Sequence, residues 1–241
     1  MIQIKNKQNI DAVLWDFDGT LANSAAKNIA ITKQILAKVA PRLTGENLPS
    51  CLQSESAYHV ANHAAEHWRE LYRDFFGMND EEIEEAGPMW DDHQLLDDTE
   101  VTLFEHVATT VQALSSVPQG ICSANSTRNI SRVLDANGLS GYFNSVIGYE
   151  GLHEHEQKPA AHGGMQCLQE IFGRANGQSV VYIGDHIADV IFSRDLAERL
   201  GPSSNVTSVV VTHSGARPES WSQQPDLVIQ SPAELTDFLR D

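Results

Sequence analysis

The sequence predicts an α/β protein whose core is a parallel sheet covered by helices on both faces, with an all-helical segment inserted after the first strand. Three observations predict this class. An apolar run at residues 12–15 ends in the acidic stretch "DFDGT", residues 21–100 have helical texture, and short apolar strands alternate with helices from Val101 onward. We expect residues 1–20 and 101–241 to form the core.

Length and composition limit the classes of protein. The chain has 241 residues and 41% hydrophobic content, which suits one large domain or a core with a smaller attachment. Its 33 acidic and 16 basic residues give a formal charge of −17, which repels phosphate backbones and anionic lipid surfaces. We therefore expect no nucleic-acid partner and no membrane partner.

Export signals and metal-binding cysteine patterns are lacking in the sequence. The first ten residues hold no apolar segment of signal-peptide length, and no run approaches the roughly 18 apolar residues of a membrane span. Cys51, Cys122 and Cys167 are scattered and match no zinc spacing. A reducing, cytoplasmic location is the prediction.

The first strand is followed at once by two aspartates. Asp16 and Asp18 end the run "AVLW", and two such carboxylates at the end of a buried strand repel each other and resist desolvation. This arrangement indicates that a positive charge binds there. The alternative is that the same residues form an ordinary turn at the end of the strand, which would need no ligand.

Residues 21–100 are predicted to be all-helical. Apolar residues at helical spacing begin at Ile29 and end before Pro41, where proline stops the helix. The stretch from "SAYHV" to "MWDDHQ" is also typical of helices, which break at Gly77 and at Gly87-Pro88.

From Val101 onward, the pattern alternates. Helices are predicted over about 103–115, from about 127, over about 160–173, and after the strand "SVVYIGD". The predicted strands are "QGICSAN", "SVIGYE", "SVVYIGD", "SVVVTH" and "DLVIQ". This alternation is typical of a parallel sheet.

Ligands of such sheets bind at the carboxyl ends of the strands. After the predicted first strand come Asp16 and Asp18, after "QGIC" comes Ser123, and after "SVVYIG" comes Asp185. Lys158, the only lysine after Lys38, precedes a predicted helix. We expect these carboxylates, this hydroxyl and this cation to share one site.

Four motifs in register carry a family resemblance. "DFDGT", "CSANS", "QKPAA" and "GDHIAD" occur in the order and at about the distances of the four motifs of the haloacid dehalogenase-like (HAD) hydrolase superfamily. The chain most resembles the phosphoglycolate phosphatase-like members, in which an α-helical cap domain is inserted into a Rossmann-like core. The resemblance implies that residues 21–100 are this cap. Ala161 stands where members often have a second proline, a difference that concerns packing more than chemistry.

The residue types support phosphoryl transfer with Mg²⁺. Asp16 and Asp185 supply hard oxygen ligands, and Lys158 with the backbone N–H groups of residues 17–19 can neutralise a phosphoryl group. Asp16 would attack phosphorus to form an aspartyl-phosphate, while Asp18 would protonate the leaving alkoxide and then activate water.

The resemblance implies the same roles and adds others. It assigns the main-chain carbonyl of Asp18 to the metal, Ser123 to the phosphoryl group, and Asp189 to orienting Lys158 or a metal-bound water. Gly19 and Asn125 complete the predicted phosphate-binding set. The alternatives are structural: Asp185 and Asp189 as helix-capping carboxylates, Ser123 as a turn residue and Lys158 as a solvated lysine.

Two histidine groups are candidate metal ligands. His59, His63 and His67 recur every fourth residue and so are predicted to share one helix face, but the glutamate of an HExxH site is missing. The "HEH" at residues 153–155 precedes Lys158. Both groups are interpreted as structural or solvated, with substrate contact by the cap as the functional alternative for the first.

The predicted function is hydrolysis of a small phosphate monoester by a Mg²⁺-dependent phosphatase. A phosphomutase of the same superfamily shares the aspartyl-phosphate and stays an alternative, as does a non-catalytic binding module with this fold. Dehalogenation is disfavoured, because members with that activity lack an aspartate at the position of Asp18. The motifs name neither the substrate nor the oligomeric state.

Overall fold

A computed structural model gives the fold, and it describes residues 10–240. Residues 1–9 and 241 of the predicted core therefore lie outside the described residues. The main sheet has six strands in the order β5-β4-β1-β6-β7-β8, and each neighbouring pair is parallel. The strands are β1 Ala12–Trp15, β4 Gln119–Cys122, β5 Ser145–Ile147, β6 Ser179–Gly184, β7 Asn205–Val211 and β8 Leu227–Ile229. The predicted parallel α/β core is confirmed.

Strand β1 lies in the middle of this sheet. Trp15 pairs with Ile121 of β4 on one side and with Ile183 of β6 on the other. All four residues of β1 are buried, since helices cover both faces. The β-branched and aromatic run is thus a central strand, and its carboxyl end lies beside those of β4 and β6.

Side chains of β1 alternate between two hydrophobic clusters. Val13 and Trp15 pack on one face, while Ala12 and Leu14 pack on the other. The first face carries helices α6 Val107–Ala113, α7 Thr127–Ala136 and α10 Ala233–Arg240. The second carries α8 His162–Phe172 and α9 Ile187–Leu200. The core is therefore a three-layer arrangement.

The inserted segment has helices and a hydrophobic cluster of its own. Its helices are α1 Ala25–Val39, α2 Glu55–Ala64, α3 Trp68–Glu70, α4 Asp80–Ala86 and α5 Trp90–Leu96, and α3 continues into a π-helical turn at Leu71–Phe75. Ile31, Leu36, Leu52, Phe76 and Ile83 are buried together. As predicted, α1 ends before Pro41.

The segment is not all-helical, which corrects the prediction for its first residues. Strand β2, Ala22–Asn23, pairs antiparallel with β3, Thr102–Leu103, where the chain leaves and re-enters the core. A strand of two residues has no detectable periodicity, so the sequence pattern did not indicate it. The helix predicted over 103–115 begins only at Val107 for the same reason.

None of the helices in the described part of the chain has the length and apolar composition that a membrane crossing requires.

Candidate active site

The predicted site residues gather at the carboxyl edge of the sheet. Asp16 follows β1 directly, Ser123 follows β4 and Asp185 follows β6, and these three strands are neighbours. Lys158 reaches the same place from the loop before α8. Parallel strands thus bring together residues that are far apart in sequence.

Lys158 forms a buried ion-pair cluster with two aspartates. Its Nζ lies 2.9 Å from Asp16 Oδ1 and also contacts Asp189 Oδ1. The side chains of Lys158 and Asp16 are each 9% exposed, and that of Asp189 is 2% exposed. Buried charges need such partners, because leaving one of them unpaired costs several kcal/mol.

Burial and neighbouring charges shift the titration of this cluster. Burial raises the pKa of Asp16 to about 7; Lys158 opposes the rise, while Asp189 and Asp185 add to it. Burial alone would lower the pKa of Lys158, but the two carboxylates outweigh it and raise the pKa above its usual value. Lys158 is therefore a permanent cation beside Asp16.

Asp189 is held by donors from three sides. The backbone N–H groups of Asp185 and His186 donate to its Oδ2 at 3.1 and 2.9 Å. The hydroxyl of Tyr182 lies 3.2 Å from its Oδ1 and 2.9 Å from Cys122 O, so the two oxygens share one proton donor. A side chain at Gly184 would collide with this carboxylate, since a Cβ there would lie 2.1 Å from the Asp189 Cγ. Asp189 thus caps α9 and orients Lys158 at once.

Asp18 is half-buried, and its carboxylate pairs with the amide of Asn125. Asn125 Nδ2 donates to Asp18 Oδ2 at 2.7 Å, while Asp18 Oδ1 is buried without a hydrogen-bond partner. Burial of the carboxylate raises the pKa of Asp18, and the nearby Ser24 hydroxyl and Asn125 amide oppose the rise without cancelling it. An unpaired buried carboxylate oxygen with a raised pKa suits a group that exchanges protons.

Asp185 accepts from both the core and the inserted segment. Ser214 Oγ donates to its Oδ2 at 2.7 Å, and His63 Nε2 lies 2.9 Å from the same oxygen. Thr20 Oγ1 donates to its Oδ1 at 3.3 Å. Burial alone would raise the pKa of Asp185, but the hydrogen bond and charge of His63 and the hydroxyl of Ser214 lower it below its usual range.

Gly19 lies against the Asp185 carboxylate. Its φ is +78°, and a Cβ there would stand 2.1 Å from Asp185 Oδ2. Only glycine fits both the left-handed conformation and the close approach. The main chain after β1 therefore lies directly over the carboxylate cluster.

The chemistry of the cluster fits a hard divalent cation. Oxygen atoms of Asp16, Asp185 and Asp189 lie within 4.8 Å of one another, and all three residues are buried. Carboxylate oxygens are the ligands that Mg²⁺ prefers. The clustered carboxylates are those of the predicted ligands Asp16 and Asp185 and of the predicted supporting residue Asp189. The Asp18 side chain pairs with Asn125, and its main-chain carbonyl stays the predicted ligand.

Ser123 and Asn125 lie next to the ion-pair cluster. The Ser123 hydroxyl accepts a 3.3 Å hydrogen bond from the Asn125 backbone N–H, and both residues are buried. A cavity of about 10 Å³ beside Ser123 and Lys158 has room for about one water molecule. All the predicted site residues therefore lie at this edge of the sheet.

The first histidine group separates in the structure. Helix α2 ends at Ala64, so His59 and His63 share a face but His67 does not, which corrects the predicted common face. His67 is exposed, and its Nδ1 accepts from Arg69 N at 3.2 Å, capping α3. His63 alone reaches the Asp185 carboxylate.

The second histidine group is exposed, in line with a solvated role. His153 and His155 stack with ring centroids 5.8 Å apart on the surface loop before Lys158.

Sequence reasoning missed several contacts to the site. His186 Nε2 lies 2.8 Å from Ala65 O and 3.1 Å from Asn62 O of the inserted segment, and Ser214 and Thr20 contact Asp185. The position of His186 directly after Asp185 was the one available signal. Contacts between remote segments leave no pattern in a single sequence.

Fold and site together define a parallel α/β protein with a carboxylate and lysine centre at its sheet edge. The family model described as haloacid dehalogenase-like hydrolase matches residues 13–197. The chain belongs to this family, which confirms the resemblance carried by its four motifs.

Solved structures share the fold across almost the whole chain. A predicted phosphatase from Clostridium acetobutylicum is 17% identical, with a TM-score of 0.72 and coverage of 97% of this chain and 99% of that one. A haloacid dehalogenase-like family hydrolase from Streptococcus pneumoniae is 20% identical, with a TM-score of 0.70 and coverage of 95% and 98%. A predicted phosphoglycolate phosphatase from Haemophilus somnus is 18% identical, with a TM-score of 0.63 and coverage of 97% and 99%. No curated protein matches the chain significantly.

Proposed function

We propose that the chain is a Mg²⁺-dependent phosphatase that hydrolyses a small-molecule phosphate monoester through an aspartyl-phosphate on Asp16. The observation that carries the proposal is the position of Asp16. Its Oδ1 lies 2.9 Å from the ammonium group of Lys158, and its carboxylate is grouped with those of Asp185 and Asp189. The structural relatives titled as phosphatases support the same reaction class.

Asp16, Asp185 and the main-chain carbonyl of Asp18 would hold the Mg²⁺, with Asp189 supporting the site. When bound, the ion supplies positive charge that lowers the pKa of Asp16 and offsets the charge of the phosphoryl group. Two observations support the fit of Mg²⁺ to this site. The donors are hard oxygen atoms, and residue 19 is a glycine, so it has no side chain to cover the Asp185 carboxylate.

Asp16 acts as the nucleophile in the first step. Its carboxylate oxygen forms a bond to phosphorus as the bond from phosphorus to the ester oxygen breaks. Asp18 gives its proton to the departing alkoxide, so that the alcohol leaves neutral. The raised pKa of Asp18 supports this role, because it favours the protonated form that the acid needs.

Asp18 acts as the base in the second step. Now ionised, it takes a proton from a water molecule whose oxygen attacks phosphorus. The bond between phosphorus and Asp16 then breaks, which releases inorganic phosphate and restores both carboxyl groups. Asn125, which donates to Asp18 Oδ2 at 2.7 Å, holds this side chain in place during both transfers.

The phosphoryl oxygens would be bound by Lys158, Ser123, Asn125 and the backbone N–H groups near Gly19. Lys158 is suited to this role because its raised pKa keeps it charged, and Asp189 aims it toward Asp16. Such fixed positive groups stabilise charge on the transferring group without reorganisation.

We also propose that residues 21–100 form a cap over a core of residues 1–20 and 101–241. Contacts between the two segments close over the site: Tyr149 donates to Asp91, and His186 contacts Ala65 O at 2.8 Å. The bound substrate would thus be shielded from water, and cap residues would select among small phosphorylated compounds.

The test is a p-nitrophenyl phosphate assay followed by a panel of phosphorylated metabolites. Turnover should vanish on EDTA treatment and return with Mg²⁺, and Ca²⁺ should support it poorly because its larger, looser shell spoils in-line geometry. Asp16→Asn should be inactive but folded, whereas Asp92→Asn, an exposed carboxylate on α5, should match the wild type.

Full activity in chelated, metal-free enzyme would contradict the mechanism. Transfer of the phosphoryl group to a sugar instead of to water would identify a phosphomutase, and inactivity on the whole panel would favour a binding module.

A further inference from the structure

We infer that His63 is a positioning residue of the metal site: it is delivered by helix α2 and orients Asp185, so that metal affinity depends on docking of the inserted segment. The inference rests on the proposed function, since it concerns the ion for which Asp185 is a proposed ligand. It assigns a role to the histidine that the proposed mechanism leaves unused.

His63 and Asp185 make a close contact between distant parts of the chain. His63 Nε2 lies 2.9 Å from Asp185 Oδ2, and the two side chains are only 8% and 5% exposed. His63 belongs to α2 of the inserted segment, whereas Asp185 follows β6 of the core. A buried contact of this kind exists only while the two segments are packed together.

The hydrogen-bond pattern identifies which ring nitrogen carries the hydrogen. Ser214 Oγ donates its single proton to Asp185 Oδ2 at 2.7 Å and so cannot donate to His63, 3.3 Å away. An ionised carboxylate only accepts, so Nε2 of His63 must be the donor. Asp185 Oδ2 therefore receives two donors, Ser214 from the core and His63 from the inserted segment.

These two donors fix one oxygen of Asp185 and leave the other with a single weaker bond. Oδ1 accepts only the 3.3 Å hydrogen bond of Thr20 among the described residues. Donors that hold one oxygen of a metal-ligating carboxylate orient the group and raise its affinity for the ion. His63 is in the right place to do so.

The His63 ring is itself held in position. It stacks between His59 and His186, with centroid separations of 6.0 and 6.2 Å and interplanar angles of 21° and 25°. His186 in turn contacts Ala65 O and Asn62 O at the end of α2. Both residues that follow β6, Asp185 and His186, are thus bound to α2.

The coupling must work in both directions. If docking of α2 strengthens metal binding through His63, then metal binding must strengthen docking of α2 by the same factor. Occupancy of the metal site would then change how firmly the cap docks on the core.

The experiment is calorimetric titration of the full-length protein with Mg²⁺. His63→Ala should weaken Mg²⁺ binding by about 10- to 100-fold, the usual effect of removing an outer partner of a metal ligand. His63→Gln should recover most of the affinity, because its amide N–H can donate from nearly the same place. His67→Ala removes an exposed imidazole that caps α3 and does not contact Asp185, so it should change Mg²⁺ affinity by less than about twofold.

A second readout separates positioning from simple packing. Amide hydrogen exchange of residues 55–64 should slow when Mg²⁺ is added to the wild type and to His63→Gln, and should not respond in His63→Ala. A packing role would leave the Mg²⁺ response intact in all variants, and that result would overturn the inference.

The outcomes distinguish the inference from the proposed function. Wild-type protein that binds no Mg²⁺ would overturn both. Mg²⁺ binding by the wild type with equal or tighter binding by His63→Ala would overturn the inference alone and leave the phosphatase mechanism standing. Should His63→Ala fail to fold, an affinity of His63→Gln near that of the wild type supports the inference, and a 10-fold or greater loss in that variant overturns it.

Discussion

Lys158→Met should destabilise the metal-free protein strongly, because the lysine is the buried counter-ion of two carboxylates. The side chains of Lys158 and Asp16 are each 9% exposed, so water cannot replace the lost cation. Methionine keeps the length and most of the volume of the side chain. The change therefore removes charge with little loss of packing.

The expected loss of unfolding free energy depends on which carboxylate keeps other hydrogen-bond donors. Asp189 retains two backbone N–H donors, but Asp16 loses its buried ammonium partner. Removing one partner of a buried pair costs about 3–5 kcal/mol. We expect the lower end, about 3 kcal/mol, since only one carboxylate is left uncompensated.

The assay is urea unfolding in EDTA for Lys158→Met, Asp16→Asn and the double variant. The double variant should be more stable than the sum of the single changes by about 1–3 kcal/mol. The folded-state pKa of Asp16 is about 7, above its unfolded value, so protonation favours the folded state. Because Lys158 lowers the pKa of Asp16, its loss raises that pKa further, so the deficit of Lys158→Met should shrink as the pH falls toward about 7. Additive effects, or a deficit that grows on acidification, would refute the buried-pair reasoning.

Two further predictions concern a glycine and a remote carboxylate. Gly19→Ala should fold but lose Mg²⁺ binding and turnover, because its Cβ would stand 2.1 Å from Asp185 Oδ2. The control is Gly173→Ala, which is also at positive φ but in open space. It should lower the free energy of unfolding in urea by only about 1–2 kcal/mol and keep full turnover. Asp226 accepts from Ser208 and Arg194, which hold its pKa below its usual range against burial. A depressed pKa gives stability that is lost as the pH falls, so Asp226→Asn should flatten the acid limb of the unfolding curve; an unchanged limb would contradict this.

The sheet was predictable because its strands are continuous apolar runs. A run such as "SVVYIG" is buried on both faces, so its composition alone separates it from its helical surroundings. Strands β2 and β3 have two residues each and were missed, since their pairing depends on where the chain leaves and re-enters the core. Composition predicts which segments are buried, but not how the chain pairs where it leaves and re-enters the core.

The site was predictable where its residues directly follow strands. Asp16, Ser123 and Asp185 needed only the rule that parallel strands end at one edge. His63, 122 positions away from Asp185, needed the packing of α2 on the core. The shared helix face expected for His59, His63 and His67 failed because α2 ends at Ala64.

Trapping of a phosphoenzyme tests the central claim most directly. In Asp18→Asn, the base for the second step is gone, so an aspartyl-phosphate should accumulate on Asp16. With p-nitrophenyl phosphate, whose leaving group needs little acid help, steady-state turnover should fall by roughly 10²-fold or more after a burst of nitrophenol. An alkyl phosphate should give no burst.

The measurement is rapid acid quench followed by peptide mapping. We predict phosphoryl label on the peptide that contains Asp16, absent when Asp16→Asn is added to the same protein. Label on another residue, or wild-type turnover of an alkyl phosphate by Asp18→Asn without any phosphoenzyme, would contradict the assignment of Asp16 as nucleophile and Asp18 as acid and base.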